Sequence, residues 1–160
     1  MIFLLCVLIS CIALDQITKA IARNALSETN TLSYIGDIFR LQLGYNAGAT
    51  LNLGALLPEA IRTLIFTVGA GTAMGALFIY LLASKSVDRI TFAALTFVLA
   101  GGIGNLADRV FNEGLVTDFM NIGIGSIRSG VFNVADMAIT GGGVFLLIHA
   151  LWQRRPAQRN

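Results

Sequence analysis

Two aspartates, Asp118 and Asp136, carry the chemistry that this sequence most directly suggests. Both lie among apolar residues, where an ionised carboxylate needs a partner, a proton or a function. They are 18 positions apart, so the intervening loop can bring the side chains together. Two close carboxylates share a proton, because the charge of one raises the pKa of the other. Such a pair can activate water and protonate a leaving amine, which cuts peptide bonds without a metal.

The alternative for these aspartates is structural, because each could separately cap the end of a helix. Spacing alone leaves both interpretations open. Asn133 lies three positions before Asp136, on the same face of a helix, where it could orient the pair or bind a substrate backbone. Arg109 could reach a substrate carbonyl or a lipid phosphate, or simply extend to the membrane surface. Its neighbour Asp108 could bond to the backbone or to another polar side chain.

The elements that must position these residues are membrane helices. The chain has 160 residues, of which 56% are hydrophobic and 12% charged, whereas soluble domains are about a quarter charged. We therefore predict an all-α integral membrane protein of a single domain, residues 1–160. A net charge of +2 without a basic run interleaved with aromatics argues against nucleic-acid binding.

The cysteines and the single histidine give no sign of a metal or cofactor site. Cys6 and Cys11 lie in one apolar run on different helical faces, and we expect both to be membrane-buried thiols. His149 has no Cys or His neighbour and is expected at the interfacial end of a helix. The sequence therefore predicts no metal, no cofactor and no Ser-His-Asp site.

Four apolar runs are each long enough to cross a bilayer as a helix. They cover residues 1–22, 59–83, 90–107 and 131–152. The first is interpreted as a span rather than a signal peptide, because it has no basic n-region and no small-residue cleavage site follows it. Asp15 and Lys19, one turn apart near its end, form a partly self-neutralising pair. Gly71 and Gly75 give the second span a step that suits close helix packing.

Two segments, 23–58 and 108–130, are too polar to span the membrane. Alternating apolar and polar residues at 39–43 predict a short strand at the membrane surface, followed by a turn at 45–49. Basic residues are dense in the turn at 84–89 and in the tail, which places that turn and both termini in the cytoplasm. Both polar segments, and with them the aspartates, are then expected at the extracytoplasmic face.

Five short motifs together resemble the bacterial lipoprotein signal peptidases, the signal peptidase II family. They are Asp15-Gln16-Ile17-Thr18-Lys19, Asn46-Ala47-Gly48-Ala49, Gly104-Asn105-Leu106-Ala107-Asp108-Arg109, Val116-Thr117-Asp118-Phe119 and Phe132-Asn133-Val134-Ala135-Asp136. Each is weak alone, but their order, spacing and four-span frame agree over most of the chain. One departure is Thr50-Leu51-Asn52, where the family usually has a small residue, Phe and Ser.

The resemblance implies an aspartic endopeptidase of the bacterial inner membrane, which cuts prolipoproteins just before the diacylglyceryl-modified cysteine. Asp118 and Asp136 match the catalytic aspartates of the family. The residues that match its substrate and globomycin site are Asn46, Gly48, Arg109 and Asn133. The residues that match positions supporting its fold are Asp15, Lys19, Asn105 and Asp108.

The family fold joins four transmembrane helices to a small extracytoplasmic β cradle and a short surface helix, and the resemblance implies the same here. The implied partners are prolipoprotein substrates, membrane lipids and globomycin-type inhibitors. We expect the chain to act as a monomer.

Two other classes of function fit a membrane protein with buried carboxylates. An ion- or proton-coupled carrier would use them as a relay. However, no internal repeat is evident, and the carboxylates cluster at one face rather than at mid-membrane. A non-enzymatic assembly factor would use the aspartates only as helix caps. A peptide-cleavage assay separates both classes from a protease.

Overall fold

Four long helices dominate the computed structural model of the chain, which describes residues 2–48, 56–84 and 86–153. They are α1 (Ile2–Ala25), α2 (Glu59–Ala83), α3 (Arg89–Phe111) and α4 (Val134–Gln153). All four are long and apolar enough to cross a membrane, which confirms the prediction of a multi-pass membrane protein. The turns of α2 at Leu64–Gly69 are π-helical.

The helix ends nearest the aspartates differ from the predicted ends of the spans. α1 continues to Ala25 and α3 to Phe111, rather than ending at 22 and 107. α4 begins at Val134 rather than at 131, because Phe132 still forms a β-bridge with Met120. Polar side chains in the last turns of α1 and α3 bond to neighbouring elements instead of to water. Hydropathy therefore ends these two helices too early.

The two segments between the long helices join in one antiparallel sheet. Its strands, in the order β1-β2-β3-β4, are Leu32–Tyr34, Phe39–Asn46, Val116–Ile124 and Ile127–Arg128. The strand predicted at 39–43 is confirmed as part of β2. Gly44 of β2 lies opposite Asp118 of β3, so strand pairing brings one candidate aspartate to the end of β2.

The turn predicted at 45–49 begins later than expected. Tyr45 and Asn46 still lie in β2, because both pair with residues of β3. Residues 49–55 lie outside the described residues, and so does the Thr50-Leu51-Asn52 departure. The short surface helix stays a prediction.

The helices expose apolar side chains and bury polar ones. Ile9, Ile79 and Leu147 are 67%, 65% and 60% exposed. In contrast, Lys19 is 0% and Asp108 1% exposed. A surrounding bilayer accounts for this distribution, because hydrocarbon chains solvate apolar side chains, whereas charged groups must find partners inside the bundle.

α3 and α4 approach each other at the level of the backbone at two glycines. A Cβ atom on Gly101 would lie 2.3 Å from the carbonyl oxygen of Ala135. One on Gly142 would lie 2.6 Å from the carbonyl oxygen of Ala94. Membrane helices use small residues for such close contacts. The contact at Gly101 holds the beginning of α4, and therefore Asp136, against α3.

We expect Gly101→Ala to lower the free energy of unfolding by about 1–3 kcal/mol, the usual cost of overpacking. The added methyl group cannot fit unless α4 moves away from α3. Gly143→Ala is the matched control, because Gly143 lies on α4 with nothing within 4 Å of its added Cβ. Thermal unfolding in detergent measures both variants, and equal midpoints would show that the backbone contact is unimportant.

Candidate active site

Asp118 lies in β3 with both carboxylate oxygens bonded to asparagine amides. Oδ1 accepts from Asn133 Nδ2 at 2.7 Å, and Oδ2 accepts from Asn46 Nδ2 at 3.1 Å. Asn46 ends β2, the neighbour of β3, and Asn133 directly precedes α4. The sheet and the start of α4 therefore position one amide each, and they fix the orientation of a carboxylate that is only 3% exposed.

Its surroundings raise the pKa of Asp118 from its ordinary value to about 6. Burial is the main cause, because it penalises the charged form, and the negative charge of Asp136 acts in the same direction. The amides of Asn46 and Asn133 and the charge of Lys19 oppose this rise, because they favour the ionised form. A carboxyl with a pKa near 6 can exchange its proton in the weakly acidic range.

Asp136 lies in the first turn of α4 and forms reciprocal bonds with Asn133. Its Oδ2 accepts from the Asn133 backbone N–H at 3.1 Å, and its own backbone N–H donates to Asn133 Oδ1 at 2.9 Å. This is the geometry of a capping box, which satisfies donors that a helix start otherwise leaves free. The other oxygen, Oδ1, accepts from Asn105 Nδ2 at 2.8 Å. Both oxygens of Asp136 are therefore oriented by hydrogen bonds.

Asn105 and Asn133 connect the two candidate aspartates. Asn133 Nδ2 donates to Asn105 Oδ1 at 3.0 Å, so each asparagine bonds to the other and to at least one aspartate. Asn133 is fully buried and Asn105 is 7% exposed. Of the two roles predicted for Asn133, this burial favours orienting the pair over contacting a substrate. The structure brings Asp118 and Asp136 to one common partner, Asn133, and we call the two aspartates the Asp118–Asp136 pair.

A buried lysine of α1 contacts one of these asparagines. Lys19 Nζ lies 2.8 Å from Asp15 Oδ2 and 3.3 Å from Asp108 Oδ2, and it donates to Asn105 Oδ1 at 3.0 Å. The three charged side chains are at most 1% exposed. We call Lys19, Asp15, Asp108 and Asn105 the Lys19 cluster. It joins α1 to α3 and contacts the Asp118–Asp136 pair through Asn105.

The two aspartates of the Lys19 cluster also hold the backbone next to the Asp118–Asp136 pair. Asp15 Oδ1 accepts from the Ala135 N–H at 2.9 Å, and Asp108 Oδ2 accepts from the Thr117 N–H at 2.8 Å. Ala135 and Thr117 directly precede the two residues of the pair. Because Lys19 binds both carboxylates, the cluster fixes the distance between the two chain segments that carry the pair.

Gly48 fixes Asn46 from the other side. Its backbone N–H donates to Asn46 Oδ1 at 2.9 Å, which leaves Asn46 Nδ2 to donate to Asp118. The φ angle of Gly48 is +128°, a conformation that other residues rarely adopt. A Cβ atom here would also lie 2.4 Å from the ring of Phe66. The predicted site position Gly48 therefore requires glycine.

A groove of about 860 Å³ opens beside Asp136 between α2, α3 and α4. Polar side chains line the end nearest the pair, and they are Asn46, Asn105, Arg109 and Asp136. The remaining lining is mostly apolar or small, and it includes Phe66, Ala70, Met74, Gly102 and Gly141. This shape suits a ligand that is apolar over most of its length and polar where it meets the carboxylates.

Arg109 lines this groove and keeps one buried donor without a partner. Its Nε is buried without a hydrogen-bond partner, and its Nη1 lies 3.5 Å from the carbonyl oxygen of Asn105. Its guanidinium lies over the ring of Phe66, with 5.9 Å between Cζ and the ring centroid. Phe66 was missed by the sequence analysis, because a phenylalanine inside an apolar run gives no signal of a site.

The remaining candidates for chemistry lie elsewhere. Cys6 and Cys11 are free thiols on α1. His149 Nε2 lies 3.1 Å from Asp88 Oδ1, next to the start of α3. Within the described ranges, no three His, Cys, Asp or Glu side chains are grouped so that they could hold a metal ion.

A family model described as signal peptidase (SPase) II matches residues 7–152, most of the chain. The chain belongs to the signal peptidase II family. This confirms the resemblance carried by the five motifs. Membership also makes the chain a protease, as the name of the family states, and its four long apolar helices make it a membrane protein.

Individual relatives agree with the signal peptidase II assignment. The lipoprotein signal peptidase of Syntrophus aciditrophicus is 33% identical over 142 residues, which cover 89% of this chain and 88% of the relative. That of Hydrogenovibrio crunogenus is 36% identical over 141 residues, which cover 88% of this chain and 80% of the relative.

Two solved structures described as bacterial membrane enzymes have the same fold. One has a TM-score of 0.82 at 22% identity, covering 98% of this chain and 93% of the other. The second has a TM-score of 0.77 at 23% identity, covering 92% of both chains.

Proposed function

We propose that this protein is an aspartic endopeptidase that removes signal peptides from prolipoproteins, cutting on the N-terminal side of the diacylglyceryl-modified cysteine. The Asp118–Asp136 pair activates the attacking water. One observation carries the proposal: both carboxylates bond to Asn133 at the polar end of an apolar groove, and Asn46 and Asn105 each hold the other oxygen of one of them. Relatives named lipoprotein signal peptidase support the substrate class.

In the mechanism that we propose, Asp118 holds the shared proton before reaction and Asp136 is ionised. Burial raises the pKa of Asp118 to about 6, which makes Asp118 the member of the pair suited to hold a proton. Asp136 takes a proton from water while the water oxygen attacks the scissile carbonyl carbon. At the same time Asp118 donates its proton to the carbonyl oxygen.

The tetrahedral intermediate then collapses. The C–N bond breaks, and the leaving amine takes the proton that Asp136 received from water. One hydroxyl proton of the intermediate returns to Asp118, so the released signal peptide gains a new carboxylic acid at its end. The pair ends the cycle with one proton, as it began, and it needs no covalent intermediate.

The remaining site residues bind or orient. Arg109 Nε, a buried donor without a partner, donates to a backbone carbonyl of the substrate. Asn46 and Gly48 form the wall of the site beside Asp118, and Asn133 orients both members of the pair. The Lys19 cluster holds Asn105 and the backbone next to the pair in place.

The placement of the site in the membrane completes the proposal. A single peptidase domain lies in the bacterial inner membrane with both termini in the cytoplasm, and the pair lies at the extracytoplasmic face. The substrate is an apolar helix with two acyl chains, so it reaches the groove laterally through the bilayer. Water reaches the pair from the sheet side, while the helices exclude it from the rest of the groove. The chain acts as a monomer.

Cleavage by the purified protein in detergent tests the function. A diacylglyceryl-modified prolipoprotein is the substrate, and the same precursor without the lipid is its control. We expect mass spectrometry to find a product that begins at the lipidated cysteine, formed from the lipidated precursor only and blocked by globomycin. A carrier or an assembly factor would release no peptide, so absence of cleavage by folded protein would reject the proposal.

A further inference from the structure

Arg109 and the Asp118–Asp136 pair have opposite charges but do not pair. Arg109 and Asp136 line the same groove. Among the described residues, however, Arg109 forms no ion pair with either member of the pair. A guanidinium beside carboxylates in a poorly solvated site normally forms charge-assisted hydrogen bonds with them. Something must therefore hold the Arg109 side chain back.

The ring of Phe66 lies where it can restrain the Arg109 side chain. The Arg109 guanidinium lies over this ring, 5.9 Å from Cζ to the centroid, which is the geometry of a cation–π contact. We propose that Phe66 is a positioning residue that holds the Arg109 guanidinium away from the Asp118–Asp136 pair, so that the pair keeps its shared proton. This inference rests on the function proposed above.

Two features of the backbone fix the ring of Phe66. It belongs to the π-helical turns Leu64–Gly69, which interrupt an otherwise α-helical span. Such turns change the direction of a side chain and often occur at functional sites. The ring also lies directly against Gly48, where an added Cβ would come within 2.4 Å of it. Phe66 is thus held between the residue that orients Asn46 and the side chain of Arg109.

The consequence concerns the proton that catalysis needs. If the guanidinium moved onto the pair, its positive charge would favour two ionised carboxylates. No acid would then remain to protonate the carbonyl oxygen of the substrate. Held over Phe66, Arg109 instead keeps its Nε available for a substrate carbonyl. One aromatic ring therefore separates the binding role of Arg109 from the acid–base role of the pair.

Other charged groups lie on the elements packed around the pair, but none of the hydrogen bonds and ion pairs given above joins one of them to Phe66. From the elements around the pair these groups are Asp15, Lys19 and Arg23 of α1, Arg40 of β2 with its partner Asp37, Arg62 of α2, and Asp108 of α3. Lys19 is held by its own carboxylates, and Arg23 donates to Thr117 Oγ1 at 2.9 Å. A change at Phe66 can therefore reach the pair by two routes, through Arg109 or through Gly48 and Asn46, and the double-mutant cycle below separates them.

The titration of Asp118 in the purified full-length chain tests the proposal without requiring cleavage. Carboxyl ¹³C NMR of labelled aspartate follows it, with Asp118→Asn to assign the signal. We expect Phe66→Leu to lower the titration midpoint by about one pH unit, because an approaching cation favours the ionised form. Phe66→Tyr keeps the aromatic ring, so we expect the midpoint of the Asp118 titration to stay unchanged. Phe78→Leu, on the same helix, is the matched control and also keeps it.

A double-mutant cycle identifies Arg109 as the mediator. In an Arg109→Gln background, Phe66→Leu should no longer move the midpoint, because no cation remains to approach the pair. An equal shift with and without Arg109 would overturn the proposal, as would a midpoint that Phe66→Leu leaves unchanged.

Ring fluorination provides a test that preserves the fold. Phenylalanines with increasing numbers of fluorine atoms at position 66 keep the shape of the ring but progressively weaken its attraction for a cation. We expect the Asp118 midpoint to fall stepwise along the series, and a flat series would reject a cation–π role. In cleavage assays the alkaline limb of kcat/KM should move to lower pH in parallel. If the wild-type chain cut no prolipoprotein, the proposed function would fail, whereas the titrations would still decide the role of Phe66.

Discussion

Asp118→Asn is expected to abolish prolipoprotein cleavage, with a loss of at least about a thousandfold in kcat, while the protein still inserts and purifies. The amide cannot donate a proton to the substrate carbonyl, so the acid of the proposed mechanism is removed. It also cannot accept from both Asn46 and Asn133, which costs the fold about 1 kcal/mol for one hydrogen bond. The fold tolerates this loss, but catalysis does not.

The same substitution is expected to change how stability depends on pH. The pKa of Asp118 is about 6 in the folded chain and about 4 in an unfolded one. Between these values the folded state binds more protons, so wild-type stability falls as pH rises from about 4 to 6. Above pH 6 this one group has lowered the free energy of unfolding by about 2–3 kcal/mol. Asparagine does not titrate, so the stability of the variant should decrease less than that of the wild type between about pH 4 and 6.

Unfolding in detergent at pH 4.5 and at pH 8 measures this difference, and the cleavage assay measures the activity of the same samples. The control is Asp37→Asn, because Asp37 is 42% exposed and pairs with Arg40 rather than with the site. It should retain cleavage. Substantial cleavage by Asp118→Asn would contradict the assignment of the acid. Identical pH dependence of stability in the wild type and Asp118→Asn would contradict the raised pKa.

Lys19→Met is expected to cause the largest loss of stability. It leaves the carboxylates of Asp15 and Asp108 at most 1% exposed and without their cation. Breaking a buried pair on one side typically costs about 3–5 kcal/mol. The loss also loosens the Ala135 and Thr117 backbone next to the Asp118–Asp136 pair, so cleavage should fall with it.

A second substitution separates charge from packing. Asp15→Asn added to Lys19→Met removes one of the uncompensated charges, while its side-chain oxygen can still accept from the Ala135 N–H. Thermal unfolding should therefore show the double variant to be more stable than Lys19→Met alone. If Lys19→Met unfolds at the wild-type temperature, the Lys19 cluster does not hold the site together.

The parts of the fold that depend on local sequence were predictable. Each span follows from a continuous apolar run, and the strand at 39–43 follows from strict alternation. The ends of α1 and α3 were not predictable, because polar side chains in their last turns bond to β3. Hydropathy assigns such residues to water, since it contains no information about their partners.

The candidate site divides in the same way. The motifs identified the aspartates and asparagines of the site. They did not indicate that Asp15 and Asp108 accept hydrogen bonds from the backbone N–H groups next to the pair. Those bonds join residues that are 120 and 9 positions apart, and they depend on how α1 meets α4 and how α3 meets β3. Phe66 is the clearest omission. Its role depends on a π-helical turn and on contact with Gly48, neither of which has a local sequence signature.

The central claim is that the Asp118–Asp136 pair activates water directly. A single-turnover reaction in H₂¹⁸O with excess protein tests it, with hydroxylamine added to a parallel sample. We expect the released signal peptide to carry one ¹⁸O in its new carboxyl group, with no peptide hydroxamate and no ¹⁸O in either aspartate. A hydroxamate, or ¹⁸O in an aspartate side chain in place of the peptide, would show that a side chain attacks the substrate, and it would contradict this mechanism.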